Sequence, residues 1–328
     1  AWGIRQKQTG ADFMTLGGSV SANAHGRGLG FAPIIEDVAS FELVTSNGDV
    51  INCSRSKNAH LFSLVAGGYG LFGCISTVTL KLSKRQRLVR HVEVTEIDSL
   101  PAKFEEKIEE GYLYGDFQFS CDETSEDLLK KGVFSTYLPV EDLQKIYDDS
   151  GNYKLNTNMW KELLYLAHVD KSKAFKLYSQ FYMTTNNQLY WTDTHQLSVY
   201  IDDYHMDLDI KMKSHNKCSE MICEFYVEKE NLNKFLERSR AYIRANGVDL
   251  IYGTVRTIKQ DKTSYLPWAK KDYICIIFNL HVEHSKDCLE KAKIDFQNII
   301  EITLNLGGNY FLTYHRWAKK DQVVKAYP

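Results

Sequence analysis

Two glycine-rich stretches about fifty residues apart constrain this chain more than any other feature. They are Thr15-Leu-Gly-Gly-Ser-Val-Ser-Ala-Asn-Ala-His-Gly-Arg-Gly28 and Ala66-Gly-Gly-Tyr-Gly-Leu-Phe-Gly-Cys-Ile75. Glycine loses more conformational freedom on folding than any other residue. A cluster therefore marks backbone that must turn sharply or approach something closely, and a phosphate or a flat cofactor ring is the usual partner.

The 328 residues are enough for two domains, and 44% hydrophobic content is enough for a sizeable core. A net charge of −2 provides no electrostatic footprint for nucleic acid. No run approaches the roughly 18 apolar residues of a membrane span. The seven cysteines are odd in number and lack a CxxC pair, which argues against a zinc site of that type or a disulfide framework. Reduced thiols favour a cytoplasmic compartment. The first residue is Ala1, no signal peptide is visible, and the chain reads as cut at both ends. Nothing in the residues sets an oligomeric state.

The fold class expected is α+β, an antiparallel sheet with helices on one face. From Thr15 to about Leu82 the pattern is short strands and turns. Phe41 to Cys53 is a hairpin around Asn47-Gly48, Asn58 to Val65 a short helix, and Cys74 to Leu82 a β-branched strand. Ser83-Lys-Arg-Gln-Arg-Leu-Val-Arg90 reads as a polar hinge. Beyond it, helices are expected over Phe104–Glu110, Val140–Asp148, Met159–Ser179, Lys229–Asn246 and Lys286–Leu306, with glycine stops at Gly247 and Gly307-Gly308. Strands are expected over 115–121, 133–138, 197–202, 221–227, 250–258, 272–283 and 309–315.

Gly68-Tyr-Gly-Leu-Phe-Gly73 matches GxGxxG, but a dinucleotide fingerprint needs a strand before it and a helix after it. Here the order is reversed, and a tight helix-to-strand turn is the plain alternative. Taken in order, Gly17 to Arg27, the hairpin, and Leu61 to Ile75 resemble the second half of the FAD-binding domain of the vanillyl-alcohol-oxidase family, of the PCMH type. The branches most resembled are the aldonolactone oxidoreductases and decaprenylphosphoryl-ribose oxidase. The resemblance implies an FAD-binding half over 1–84, a cap over 85–308 and a return segment over 309–328. It implies FAD contacts at Thr15, Leu16, Gly17, Gly18, Ala22, Asn23, Ala24, His25, Gly26, Ile75 and, on the return segment, Phe311. Gly17-Gly18 can also present consecutive N–H groups to phosphate on physical grounds. The family's first glycine-rich phosphate loop would lie upstream of Ala1.

Strand alternation selects further candidates. Glu224, Arg256, Asn279 and His281 share a face of their strands and either line one pocket or form a solvated outer face. The resemblance favours the pocket, with Arg256 on the strand whose relatives carry a Glu and an Arg, and Thr254 in place of that Glu. In the segment Gly307 to Lys319, Tyr314 falls at the position of a catalytic Lys, and His315 or Arg316 could set a cation beside reduced flavin. An amphipathic strand end with exposed basic residues remains the alternative there. His195, His205, His215 and His284 show no constellation. The function implied is an FAD-dependent oxidoreductase acting on the CH–OH group of a sugar-like or polyol substrate, with a separate electron acceptor. Hydride would pass to the flavin, Tyr314, His281 or His315 would take the proton, and Glu224, Arg256 and Asn279 would hold the substrate. The rival is a flavin-free ligand- or partner-binding module on the same fold. No metal is expected.

Overall fold

The structure, a computed structural model, describes residues 1–9, 12–140, 153–196, 201 and 204–328. In chain order the elements are β1 (Trp2–Gly3), α1 (Leu16–Ala22), β2 (Val38–Val44), β3 (Val50–Ser54), α2 (Ala59–Val65), β4 (Cys74–Leu80), β5 (Ser83–Lys84), β6 (Arg87–Glu96) and α3 (Leu100–Glu109). Then come β7 (Tyr114–Phe119), β8 (Lys131–Val140), α4 (Thr157–Val169), α5 (Lys171–Thr184), β9 (Leu189–Trp191), α6 (Tyr204–Met212), β10 (Cys218–Val227) and α7 (Leu232–Asn246). The last are β11 (Leu250–Ile258), β12 (Tyr273–Glu283), α8 (Lys286–Leu304), β13 (Asn309–Tyr310) and α9 (Lys320–Ala326).

The expected hairpin forms β2 and β3, and β4 completes a three-stranded sheet in the order β3-β2-β4. Its core is Val20, Phe41, Leu43, Phe62 and Val65, with the rings of Phe41 and Phe62 stacked at 5.1 Å. The first glycine stretch departs from the turn expected of it, because Leu16–Ala22 is helical. Thr15 caps the helix, its Oγ1 accepting from Gly18 N at 3.0 Å, and Asn23 ends it in the left-handed region at φ 50°. Gly17 lets α1 approach β4 closely, since a Cβ there would sit 3.3 Å from the Ile75 carbonyl. The second stretch docks on the first: Gly67 N donates to Val20 O at 3.1 Å and Tyr69 N to Ser21 O at 3.0 Å.

The large sheet has eight strands in the order β13-β10-β12-β11-β7-β8-β6-β9, and its pairings are antiparallel. One row across it reads Phe225–Ile276–Val255–Phe117–Phe134. This apolar face packs on α3, α7 and α8 through Phe104, Phe235 and Phe296. The opposite face is polar, with rows Glu224–Ile277–Thr254–Gln118 and Tyr226–Cys275–Arg256.

Helices lie on both faces of this sheet, not one. The Arg90 guanidinium on the polar face sits 4.3 Å from the Tyr182 ring of α5. The expected hinge is strand instead, and Arg87 and Arg90 are buried in it. The single helix expected over 159–179 is two, broken where the Asp170 side chain caps α5 by accepting from Lys173 N. The strand expected over 309–315 stops at Tyr310, after which the chain bends back over the polar face. The helix expected from Val140 to Asp148 falls, beyond Val140, outside the described residues, as does most of the strand expected over 197–202. Among the described residues, no helix is long and apolar enough to cross a membrane.

Gly308 sets how closely β13 approaches β10. A Cβ there would lie 2.2 Å from Tyr226 O and 3.0 Å from Thr303 O, both backbone atoms. Gly308→Ala is therefore expected to push β13 outward and cost about 1–3 kcal/mol in urea unfolding, as overpacking does.

Candidate active site

The polar face converges on one buried carboxylate. Glu224, 1% exposed, projects from β10 and meets three polar side chains. Tyr314 OH donates to its Oε1 at 2.7 Å, Tyr226 OH donates to Oε2 at 2.8 Å, and His25 Nε2 lies 3.0 Å from Oε2. The other His25 nitrogen, Nδ1, lies 3.1 Å from Gly26 O, which can only accept. The ring therefore spends one N–H on that carbonyl and points the other nitrogen at the carboxylate. Arg256 Nη1 reaches the same Gly26 carbonyl at 3.4 Å. Gln8 Nε2 extends the chain to Tyr314 OH at 3.4 Å.

Burial alone would raise the Glu224 carboxyl. The charge and hydrogen bond of His25, with the hydroxyls of Tyr314 and Tyr226, outweigh it and hold the group below the ordinary carboxylate range. Burial first and the Glu224 charge second push both tyrosines well above the ordinary phenol range. Burial does the same to the Cys275 thiol, whose Sγ lies 3.9 Å from His25 Nε2. At neutral pH the centre thus holds a carboxylate beside two protonated tyrosine hydroxyls.

Packing fixes this arrangement. Trp268 stacks on Tyr226 at 4.6 Å and lies 5.0 Å from His25 and 5.3 Å from Phe311. Its Nε1 donates to Asn23 O at 3.0 Å. On the same sheet face, Arg256 Nε, Thr254 Oγ1 and Asn279 Oδ1 are buried without hydrogen-bond partners. Buried polar atoms in folded proteins almost always find partners, so this group suits a polar ligand.

Of the residues that the sequence singles out, the structure brings together His25, Gly26, Glu224, Arg256, Phe311 and Tyr314. It separates others. His281, expected as a base, faces Glu220 with its Nδ1 3.6 Å from Oε1. His315, the reserve base, stacks on Trp317 at 4.9 Å and meets Phe296 of the apolar face edge-on at 5.6 Å. Asn23, expected at a cofactor, spends its side chain on Asp261 (2.8 Å), Ser264 (3.2 Å) and the Ile35 N–H (3.2 Å). Tyr314, expected as a base, donates its hydroxyl to Glu224 Oε1. Gly17 and Ile75 meet between α1 and β4, Thr15, Leu16 and Gly18 open α1, and Ala22 packs against the cluster of Tyr226, Trp268 and Phe311.

Sequence reasoning does not single out Tyr226, Cys275, Trp268 or Gln8 for the site. Tyr226 lies two residues from Glu224 on the same strand face, so alternation marks it. Trp268 and Gln8 sit in loops without a periodic signal.

No protein-family model matches the chain. Part of it is similar to two groups of plant dehydrogenases. Cytokinin dehydrogenase 9 of Oryza sativa subsp. japonica is 37% identical over 86 residues, which cover 26% of this chain and 16% of the relative. The mitochondrial L-galactono-1,4-lactone dehydrogenase of Arabidopsis thaliana is 38% identical over 85 residues, 26% of this chain and 14% of the relative. Cytokinin dehydrogenase 1 of Arabidopsis thaliana is 35% identical over 82 residues, 25% of this chain and 14% of the relative. The chain thus spans about one-seventh of the length of these curated relatives. Its homology to cytokinin and L-galactonolactone dehydrogenases is partial and supports an oxidoreductase.

Proposed function

We propose that the chain is part of an FAD-dependent oxidoreductase that takes hydride from a carbon bearing a hydroxyl group in a sugar-like or polyol substrate. The observation that carries this reading is the buried, ionised Glu224, held by His25 of the glycine motif and by two tyrosines. The partial similarity to two kinds of dehydrogenase supports it.

The residues present fit FAD. The two glycine stretches lie side by side, Gly70 has open space where a Cβ would project, and Leu16, Tyr69, Leu71 and Phe72 are exposed around them. Bare backbone among exposed apolar side chains suits a flat ring and a phosphate chain. Thr15 to Gly18, Ala22 and Ile75 would hold it. Ala24, His25 and Gly26 are buried, and the His25 imidazole lies against Glu224. Bound FAD supplies the hydride acceptor.

This chain's own groups handle the proton. Tyr314 OH passes its proton to Glu224 Oε1 as it takes the one leaving the substrate hydroxyl. A weakly basic carboxylate suffices because the proton leaves with the hydride, when the oxygen is becoming a carbonyl and its proton is acidic. His25 and Tyr226 hold Oε2 throughout. Arg256, Thr254 and Asn279 offer their unpartnered atoms to the substrate oxygens.

The full-length protein is expected to be yellow, with flavin absorption retained on ultrafiltration. Tyr314→Phe should lower kcat about 10²-fold. Arg256→Met should act mainly on KM, by about 10-fold or more, as loss of a charged hydrogen bond does. Steady-state assays with L-galactono-1,4-lactone and simple sugar alcohols read both. A colourless protein that cannot be reconstituted with FAD would favour the flavin-free binding module, and unchanged turnover in both variants would remove the proposed site.

A further inference from the structure

A second cluster lies on the same sheet face, independent of the flavin reading. Glu220 of β10 is four residues from Glu224, roughly 13 Å along the strand. Three imidazoles surround it, each from a different element. His168 Nε2 of α4 lies 3.1 Å from Oε1, His281 Nδ1 of β12 lies 3.6 Å from Oε1, and His205 Nε2 of α6 lies 2.8 Å from Oε2. Tyr204 OH donates to Oε2 at 2.9 Å. The His168 side chain is fully buried and Glu220 is nearly so.

The His168 ring is oriented from its far side. Its Nδ1 lies 2.7 Å from the Leu164 carbonyl, which can only accept. Nε2 is thereby aimed at the Glu220 carboxylate, 3.1 Å from Oε1. A ring whose far N–H is donated to a backbone carbonyl is the arrangement that orients a metal-binding histidine. The ligating atoms of His168, Glu220 and His281 all lie within 4.8 Å of one another. Zinc–nitrogen bonds of about 2.0–2.1 Å make a tetrahedron edge of about 3.3–3.4 Å. The separations of 3.1 and 3.6 Å straddle that edge. Nδ1 of His281 is buried without a hydrogen-bond partner and is free to bind.

We propose that His168, His281 and Glu220 form a binding site for a divalent transition-metal ion of the zinc class, with His205 holding the other carboxylate oxygen. Two imidazoles and one carboxylate favour Zn²⁺ or Co²⁺ over Mg²⁺ or Ca²⁺, which prefer oxygen. The ion would tie α4 to β10 and β12. At its distance from Glu224 it acts as a structural staple and takes no part in proton transfer there.

The test uses full-length protein stripped of metal by a chelator and titrated with Zn²⁺, Co²⁺, Mg²⁺ and Ca²⁺. One equivalent of Zn²⁺ should bind by calorimetry, Co²⁺ should give the intense visible bands of tetrahedral coordination, and Zn²⁺ should raise the Tm. Glu220→Gln and His281→Ala should each weaken Zn²⁺ binding by about 100-fold or more, and Tyr204→Phe, which only orients Glu220, by about 10-fold. His284→Ala, whose ring bonds Ser219 Oγ at 2.7 Å outside the cluster, should bind as wild type. Failure of wild-type protein to bind a stoichiometric equivalent would overturn the proposal. So would a preference for Mg²⁺ or Ca²⁺, or wild-type affinity in folded Glu220→Gln and His281→Ala. None of these readouts requires FAD, so their failure is separable from failure of the oxidoreductase reading.

Discussion

Glu224→Gln is expected to lower substrate oxidation about 10²–10⁴-fold, the span usual for loss of a general base, with the fold and bound flavin retained. The amide keeps the size of the carboxylate and can still accept from Tyr314 or Tyr226 through its oxygen. It cannot take a proton. Stopped-flow bleaching of the flavin absorption by substrate isolates this step, and a bleaching rate close to wild type would remove Glu224 from the chemistry. Glu224→Ala is a different perturbation. It leaves the donors of His25, Tyr226 and Tyr314 buried with no acceptor at their centre. Breaking a buried charged pair from one side costs about 3–5 kcal/mol. The alanine variant should therefore lose stability in urea unfolding as well as turnover, and the glutamine variant should lose chiefly turnover.

The sign of the pH dependence follows from the depressed Glu224 carboxyl. A group whose pKa is lower in the folded state stabilises the fold above its unfolded-state value, about 4.3 for glutamate. That stabilisation is lost as the pH falls through the folded-state value. Wild type should therefore exceed Glu224→Gln in Tm at neutral pH, with the gap closing under acid. A gap that stayed constant between neutral and acidic pH would mean that the carboxylate is not held by its neighbours as the geometry shows.

Local pattern reaches as far as strands and faces. The hairpin at Asn47-Gly48 and the shared face of Glu224, Arg256 and Asn279 follow from turn chemistry and the two-residue period of a strand. What alternation does not supply is the row in which a residue sits. His281 has the correct face but pairs with Glu220, so it lands one cluster away from Glu224. The helix at Leu16–Ala22 is hidden because paired glycines read as a turn. A Thr15 cap, burial of Val20 and the close fit on Ile75 override that preference. Arg90 misleads in the same way. A basic run reads as solvated, yet its guanidinium is buried among the rings of Tyr137, Tyr182 and Tyr190, with Nη2 on Ser135 Oγ at 3.0 Å. Those partners are distant in sequence.

Trp268→Ala is expected to cost about 3–5 kcal/mol, the usual loss for emptying a buried aromatic site. The residue is 1% exposed and touches three parts of the chain at once. It stacks on Tyr226 beside Glu224, lies against His25 of the first glycine stretch, and packs on Phe311 of the return segment. Its Nε1 holds the Asn23 carbonyl, and its own carbonyl accepts from Asn309 Nδ2 at 2.9 Å. Emptying this site should loosen the glycine motif from the sheet face as well as destabilise the core. Trp268→Phe keeps most of the ring contact and loses the indole N–H, a change of about 1 kcal/mol. Urea unfolding and flavin retention on ultrafiltration should fall together in the alanine variant and barely move in the phenylalanine one. Were Trp268→Ala to lose stability but keep its flavin at wild-type affinity, the indole would be ordinary core. The coupling of glycine stretch and carboxylate would then have to run through His25 and the Arg256–Gly26 contact.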